Sequence, residues 1–214
     1  MKYGCCHLSL VPVRAEASDK TEMVTQLLFG DVFEIIKSKP KWVNIKNAFD
    51  DYEGWIDANQ FLEINDEQYL NLKNNLMNCS TDLVEYVQDS KQLLTTVCIG
   101  SSLKGMTDLG FKFDVKINRG EVHRDQLIPT ALLYLNSPYL WGGKSPFGID
   151  CSGFTQMVYK VCGIKLKRDA FQQAQKGETL SFIEEAQPGD LAFFDNEDGQ
   201  IIHVGLIMEN NYII

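Results

Sequence analysis

The chain has 214 residues, a formal net charge of -9, 44% hydrophobic residues and 23% charged ones. Its length allows one large domain or a few small ones, and the apolar fraction is ample for packed cores. The acidic balance argues against a nucleic-acid partner and against an anionic membrane bound through a basic patch, and no window approaches the ~20 apolar residues of a membrane span.

Residues 1–13 hold Cys5, Cys6 and His7 among polar residues, with no charged stretch leading into a long apolar run, so no signal peptide is read there. The six Cys stand at 5, 6, 79, 98, 151 and 162, without a CxxC pair or a dense framework. Reduced thiols in a cytoplasmic protein are the simplest account; an exported form whose leader has been removed is the alternative.

Between residue 5 and about residue 64 the chain reads as short strands broken by polar turns. The candidates are 7–13, 32–36, 42–45 and 54–56, with turns at 37–41 and 47–52. That pattern suits a small β-barrel. The phrases Gly30-Asp31-Val32, Lys41-Trp42-Val43-Asn44-Ile45 and Glu53-Gly54-Trp55-Ile56-Asp57 resemble the bacterial SH3-like domains that accompany cell-wall enzymes. Residues 66–77, without Gly or Pro, predict a linking helix. Strand-like runs at 83–88, 93–99 and 111–117 suggest a second, shortened SH3-like module over residues 65–124. Asp125 is placed to cap a helix reaching Leu135, with Pro129 in its first turn, where a missing N–H is tolerated.

Residues 139–154 read YLWGGKSPFGIDCSGF. Gly142, Gly143, Pro146 and Gly148 rule out a helix or central strand before Cys151, so this approach is a shaped loop. Past it, Phe154, Met157, Val158 and Val161 recur at helical spacing, which puts Cys151 in the first turn of an amphipathic helix. Unpaired N–H groups and the helix dipole at such an end favour the thiolate, the nucleophilic form. A lone Cys is more often a small buried hydrophobe; the loop and the helix start favour chemistry here. A short helix at 169–176 and a hairpin of 191–194 with 201–208, turned at Pro188-Gly189-Asp190 and 196–200, complete an α+β unit from about residue 125.

A thiol nucleophile needs a base, and His is the usual one. His7, in the first strand, and His123, in a charged run, read as structural or solvent-facing. His203 projects from the apolar strand Ile201-Ile202-His203-Val204-Gly205. Alone it would more often be a satisfied core residue, but paired with Cys151 it suits a thiol peptidase. The three His have no metal-ligand spacing, and neither metal nor cofactor is expected.

The segments YLWGGKSPFGIDCSGF, KRDAFQQA, QPGDLAFF and HVGLIM, in that order, resemble the signature blocks of the NlpC/P60 family of papain-like cysteine peptidases. The resemblance covers nearly all of residues 130–214. It implies a papain-like α+β domain behind one or two SH3-like barrels, with Cys151 as nucleophile, His203 as base and Tyr139 beside the oxyanion. It implies that Asp150 and Ser152 line the acyl side of the cleft and that Asp169 contacts substrate, although Asp169 reads equally well as a helix N-cap. In the relatives the first barrel closes the cleft and adds an acid and a Tyr; Glu22 and Tyr52 are the candidates, with surface charge and barrel packing as competing readings. The resemblance implies that the family's orienting His, about a dozen residues after the base, would fall just past Ile214, together with part of the domain's sheet.

With SH3-like modules in front, the layout resembles the endopeptidases that cut the γ-D-glutamyl to L-diamino acid bond of murein peptides carrying a free N-terminal L-Ala. The resemblance implies a role in cell-wall peptide recycling, with the murein peptide as sole partner and the chain a monomer or weak oligomer. A non-catalytic binder of wall fragments, and an amidase or acyltransferase on the same scaffold, are the alternatives.

Overall fold

The computed structural model describes residues 2–214 and has an α+β architecture. Strands β1 (Tyr3–Cys5), β2 (Leu10–Arg14), β3 (Met23–Leu28), β4 (Val32–Ser38), β5 (Trp42–Asn47), β6 (Glu53–Asp57) and β7 (Leu62–Ile64) form one antiparallel sheet in the order β3-β2-β6-β5-β4-β1-β7. Alternation explains its inner face: Val11 and Val13 of β2 and Val43 and Ile45 of β5 point inward, with Leu27, Phe33 and Ile56. Bulges at Val13/Arg14 and Ile35/Lys37 break the register and bend the strands around that core, giving an SH3-like barrel. Between β3 and β4 the chain turns at Gly30, with φ 81°, while the buried Asp31 carboxylate accepts the Leu28 N–H at 2.9 Å.

Where the sequence suggests a second SH3-like module, residues 65–124 form helix α1 (Asp66–Lys73) and a two-stranded hairpin of β8 (Val84–Gln88) and β9 (Leu94–Cys98). The run 111–117 contributes only isolated bridges, at Lys112 and Ile117. Helix α1 starts where Asn65 and Gln68 exchange side-chain to backbone bonds of 3.0 and 2.9 Å, a capping box. Its Leu72 packs with Val87, Val97, Met106 and Phe111 against Phe29, Val32, Phe49 and Ile64 of the barrel. The hairpin therefore shares a core with the first barrel instead of closing one of its own.

The rest comprises α2 (Leu127–Leu133), a short hairpin of β10 (Lys144–Ser145) and β11 (Gly148–Ile149), α3 (Cys151–Val161), α4 (Ala170–Ala174) and a hairpin of β12 (Leu191–Asp195) and β13 (Ile201–Leu206). Asp125 does not cap α2; its carboxylate takes the Gln126 side-chain amide at 2.9 Å, and the helix begins at Leu127. Phe154, Met157, Val158 and Val161 of α3 pack on Leu127 and Ala131 of α2 and on Leu206 of β13.

Buried charge joins this unit to the barrel. Lys160 of α3 donates to Asp31 at 3.3 Å, Lys144 lies 4.0 Å from the same carboxylate, and all three side chains are fully buried. Burial lowers the Lys144 pKa, with Asp31 opposing that shift. The Lys160 ammonium also sits 4.8 Å from the centre of the Phe49 ring, a cation–π contact. Gln156 donates to Asp50 at 3.0 Å. Removing one partner from a buried charge pair costs about 3–5 kcal/mol, so α3 is held firmly against the barrel.

Candidate active site

Cys151 is the first residue of α3 and is half-buried. Asp150 caps the helix: its Oδ1 accepts the Gly153 N–H at 2.7 Å. Among the described residues the Cys151 N–H has no acceptor, which leaves a donor and the positive end of the helix dipole at the thiol.

The loop before Cys151 is folded around the Asp150 carboxylate. Oδ2 accepts the Gly142 N–H at 2.8 Å, and Arg168 binds both oxygens, at 3.0 and 2.7 Å. Gly142 has φ 78°, and a Cβ there would run into the Met23 carbonyl of β3. Gly142→Ala is therefore expected to cost roughly 2–4 kcal/mol, from positive-φ strain and overpacking, read as a lower melting temperature. A variant that melts like the wild type would contradict this packing.

Asp150 and Ser152, which the resemblance sets on the acyl side of the cleft, flank Cys151 with their side chains turned into a hydrogen-bond network. Both are buried; Ser152 Oγ accepts from Arg168 at 2.9 Å and donates toward Asp150 at 3.4 Å. Their polar atoms are used inside the protein. Arg168, only 1% exposed, is a residue that sequence reasoning missed. Its signal was its place in the KRDAFQQA block, masked by its resemblance to a surface charge.

Tyr139 pairs with Ile149 in an isolated parallel bridge, and its ring is largely exposed. Partial burial raises the phenol pKa, and the nearness of Cys151 and Asp150 raises it further. The hydroxyl therefore keeps its proton near neutral pH. His203 is exposed on β13, opposite Phe194 of β12, with the ring centroids 5.7 Å apart. Strand β13 packs along both α3 and α4.

Helix α4 is tied to the nucleophile's first turn: Gln173 donates to the Ser152 carbonyl at 2.9 Å and accepts from Thr155 at 2.7 Å. Asp169 stands just before α4, as expected of an N-cap, and its N–H donates to Gln172 Oε1 at 3.2 Å. Its carboxylate accepts the Tyr52 hydroxyl at 3.2 Å. Burial raises the Asp169 pKa, while Arg168 and the Tyr52 hydrogen bond lower it. Glu22 accepts the Trp141 indole N–H, so a second barrel residue reaches the loop of the thiol. Trp141 was also missed, because an exposed Trp in a loop has no periodicity to mark its partner.

The lining of an open hollow of about 420 Å³ includes Asp50, Asp51, Tyr52, Glu53, Lys167 and Asp169, so four carboxylates share it with one ammonium group. Larger hollows elsewhere contain none of the site residues. His7 is half-buried with its pKa lowered by burial, and His123 is exposed 3.6 Å from Glu121, so neither joins the site. Among the described residues no cluster of His, Cys, Asp and Glu could hold a metal ion, and no helix is long and apolar enough to cross a membrane.

Comparison with known proteins bears on both parts. Residues 136–214 match the model of the NlpC/P60 family, and residues 13–61 match that of the bacterial dipeptidyl-peptidase Sh3 domain. The chain is 40% identical over 94 residues to a gamma-D-glutamyl-L-lysine dipeptidyl-peptidase of Bacillus subtilis, covering 43% of this chain and 31% of that protein. It is 38% identical over 96 residues to dipeptidyl-peptidase 6 of Lysinibacillus sphaericus, covering 42% and 35%. The chain thus spans about a third of the length of these curated relatives. The solved structure of an NlpC/P60 family protein from Bacillus cereus superposes with a TM-score of 0.77 at 21% identity, over 99% of this chain and 90% of that one, and shares the fold. The chain therefore carries an NlpC/P60 domain behind a bacterial dipeptidyl-peptidase SH3 domain.

Proposed function

We propose that the chain is a cysteine endopeptidase that hydrolyses the γ-D-glutamyl to L-diamino acid bond of murein peptides bearing a free N-terminal L-Ala. The observation that carries this reading is the seam between barrel and peptidase. There Tyr52 meets Asp169 and Glu22 meets Trp141, beside the loop that delivers Cys151. The Asp169 carboxylate and the Tyr52 hydroxyl on the wall of the open hollow suit an ammonium group, and a bound amine there fixes how many residues lie between it and the scissile bond.

In the proposed mechanism His203 takes the thiol proton and the Cys151 sulfur attacks the γ-carbonyl of D-Glu. The resulting oxyanion is met by the Cys151 N–H and the Tyr139 hydroxyl. The C–N bond breaks as His203 protonates the leaving amine, leaving a γ-glutamyl thioester. Water, deprotonated by His203, then releases the dipeptide and restores the thiol. A place in wall-peptide recycling inside the cell belongs to the same proposal.

The pH dependence tests the amine site. Asp169 carries its charge above a raised pKa, so its attraction for the ammonium group is full above that value and fades as pH falls through it. KM for the tripeptide is expected to rise on acidification at a pH above the usual Asp range, and Asp169→Asn should remove that rise. An unchanged KM profile in the variant would sink this assignment.

A further inference from the structure

Arg168 is buried at the junction of four segments, and its guanidinium is engaged throughout. Nε donates to Thr25 Oγ1 of barrel strand β3 at 2.9 Å. Nη1 donates to Asp150 Oδ1 at 3.0 Å and to Ser152 Oγ at 2.9 Å, and Nη2 donates to Asp150 Oδ2 at 2.7 Å. A weaker contact of 3.5 Å runs from Nη2 to the Gly143 carbonyl. The Asp150 carboxylate so gripped is the group that fixes the N–H of Gly142 on one side of Cys151 and that of Gly153 on the other. Thr25 is itself buried, so the barrel end of the clamp is anchored in a core.

We propose that Arg168 is a positioning residue for Cys151: it clamps the Asp150 cap and couples the start of α3 to the barrel through Thr25. Asp150 is the residue immediately before the nucleophile, so a shift of the cap moves the sulfur and the Cys151 N–H together. The barrel then has two duties, a face for the substrate amine and a fixed point for the nucleophile. Lys cannot replace Arg in this role. It keeps the charge, but it has no planar fork to serve Thr25 and both carboxylate oxygens at once.

This inference rests on the cysteine-peptidase reading, so its test includes a measurement that needs no peptide. In R168K, kcat for the tripeptide L-Ala-γ-D-Glu-L-Lys is expected to fall ~100-fold with KM within about threefold, the signature of lost geometry at the reacting atoms. Alkylation of Cys151 by iodoacetamide at neutral pH is expected to slow ~10-fold in protein that still melts cooperatively, because the helix start no longer holds the thiol in place. Folded R168K with wild-type kcat and wild-type alkylation overturns the proposal. Should R168K fail to fold, D150N takes its place, since it keeps the shape of the cap while removing the charge that Arg168 grips. Slowed alkylation in D150N supports the clamp, and a wild-type rate overturns it. If the wild-type protein leaves the tripeptide intact, the function proposed above fails, while the alkylation rates still decide the role of Arg168.

Discussion

Cys151→Ala is expected to lower peptide hydrolysis by ~10⁴-fold or more, and iodoacetamide is expected to label Cys151 before any other thiol at neutral pH. The second half follows from the contrast among the six cysteines. Cys5, Cys6, Cys79, Cys98 and Cys162 are buried, and Cys151 alone is partly open. Burial raises the pKa of each buried thiol, to about 11 for Cys79 and Cys98 and well above the ordinary value for Cys5. Those groups are protonated and shielded at neutral pH, whereas Cys151 sits at the open end of a helix dipole. Labelling at one equivalent should therefore remove activity, with peptide mapping showing the mark on Cys151. Faster labelling of a different cysteine, or full activity in the Ala variant, would contradict the nucleophile assignment. His203→Ala should cause a comparable loss without changing the melting temperature much, because His203 is exposed.

Acetylating the L-Ala nitrogen of the substrate is expected to lower kcat/KM by roughly 10²- to 10³-fold, in line with the ~2–5 kcal/mol lost when a hydrogen-bonded charge loses its partner. The ammonium group would be received by the partly buried Asp169 carboxylate and the Tyr52 hydroxyl it accepts from, with Glu22 at the rim. Glu22 lies on the exposed side of the seam, so its share is reduced by solvent screening, and Glu22→Gln should cost less than Asp169→Asn. Equal rates on free and acetylated peptide would remove the amine from the recognition scheme. Tyr52→Phe separates the two functions of the seam. It removes the hydroxyl that donates to Asp169 while keeping the ring, so it should raise KM more than it lowers kcat.

The start of α3 was legible because loop glycines and helical spacing meet at one residue, and the structure has Cys151 at that position. The barrel strands β2, β5 and β6 were legible because buried residues alternate along them, and β4 because it opens directly after the Gly30-Asp31 turn. Strand β3 was not, although it supports the site. Thr25, Gln26, Leu27 and Leu28 are buried in a row, since one face looks into the barrel and the other onto the peptidase, so alternation disappears. The same seam hid the roles of Asp150, Ser152 and Arg168. A charged side chain in a sequence is read as solvated or as part of a site, whereas here a carboxylate and a guanidinium satisfy each other inside the protein. Residues 65–124 gave strand-like runs whose cover lay on another unit, which short-range patterns do not reveal.

Incubation of the protein with L-Ala-γ-D-Glu-L-Lys, followed by mass spectrometry, tests the central claim most directly. The account predicts release of L-Ala-γ-D-Glu and free lysine, with neither product formed by the Cys151→Ala variant. An intact tripeptide, or the same products from the variant, would contradict it.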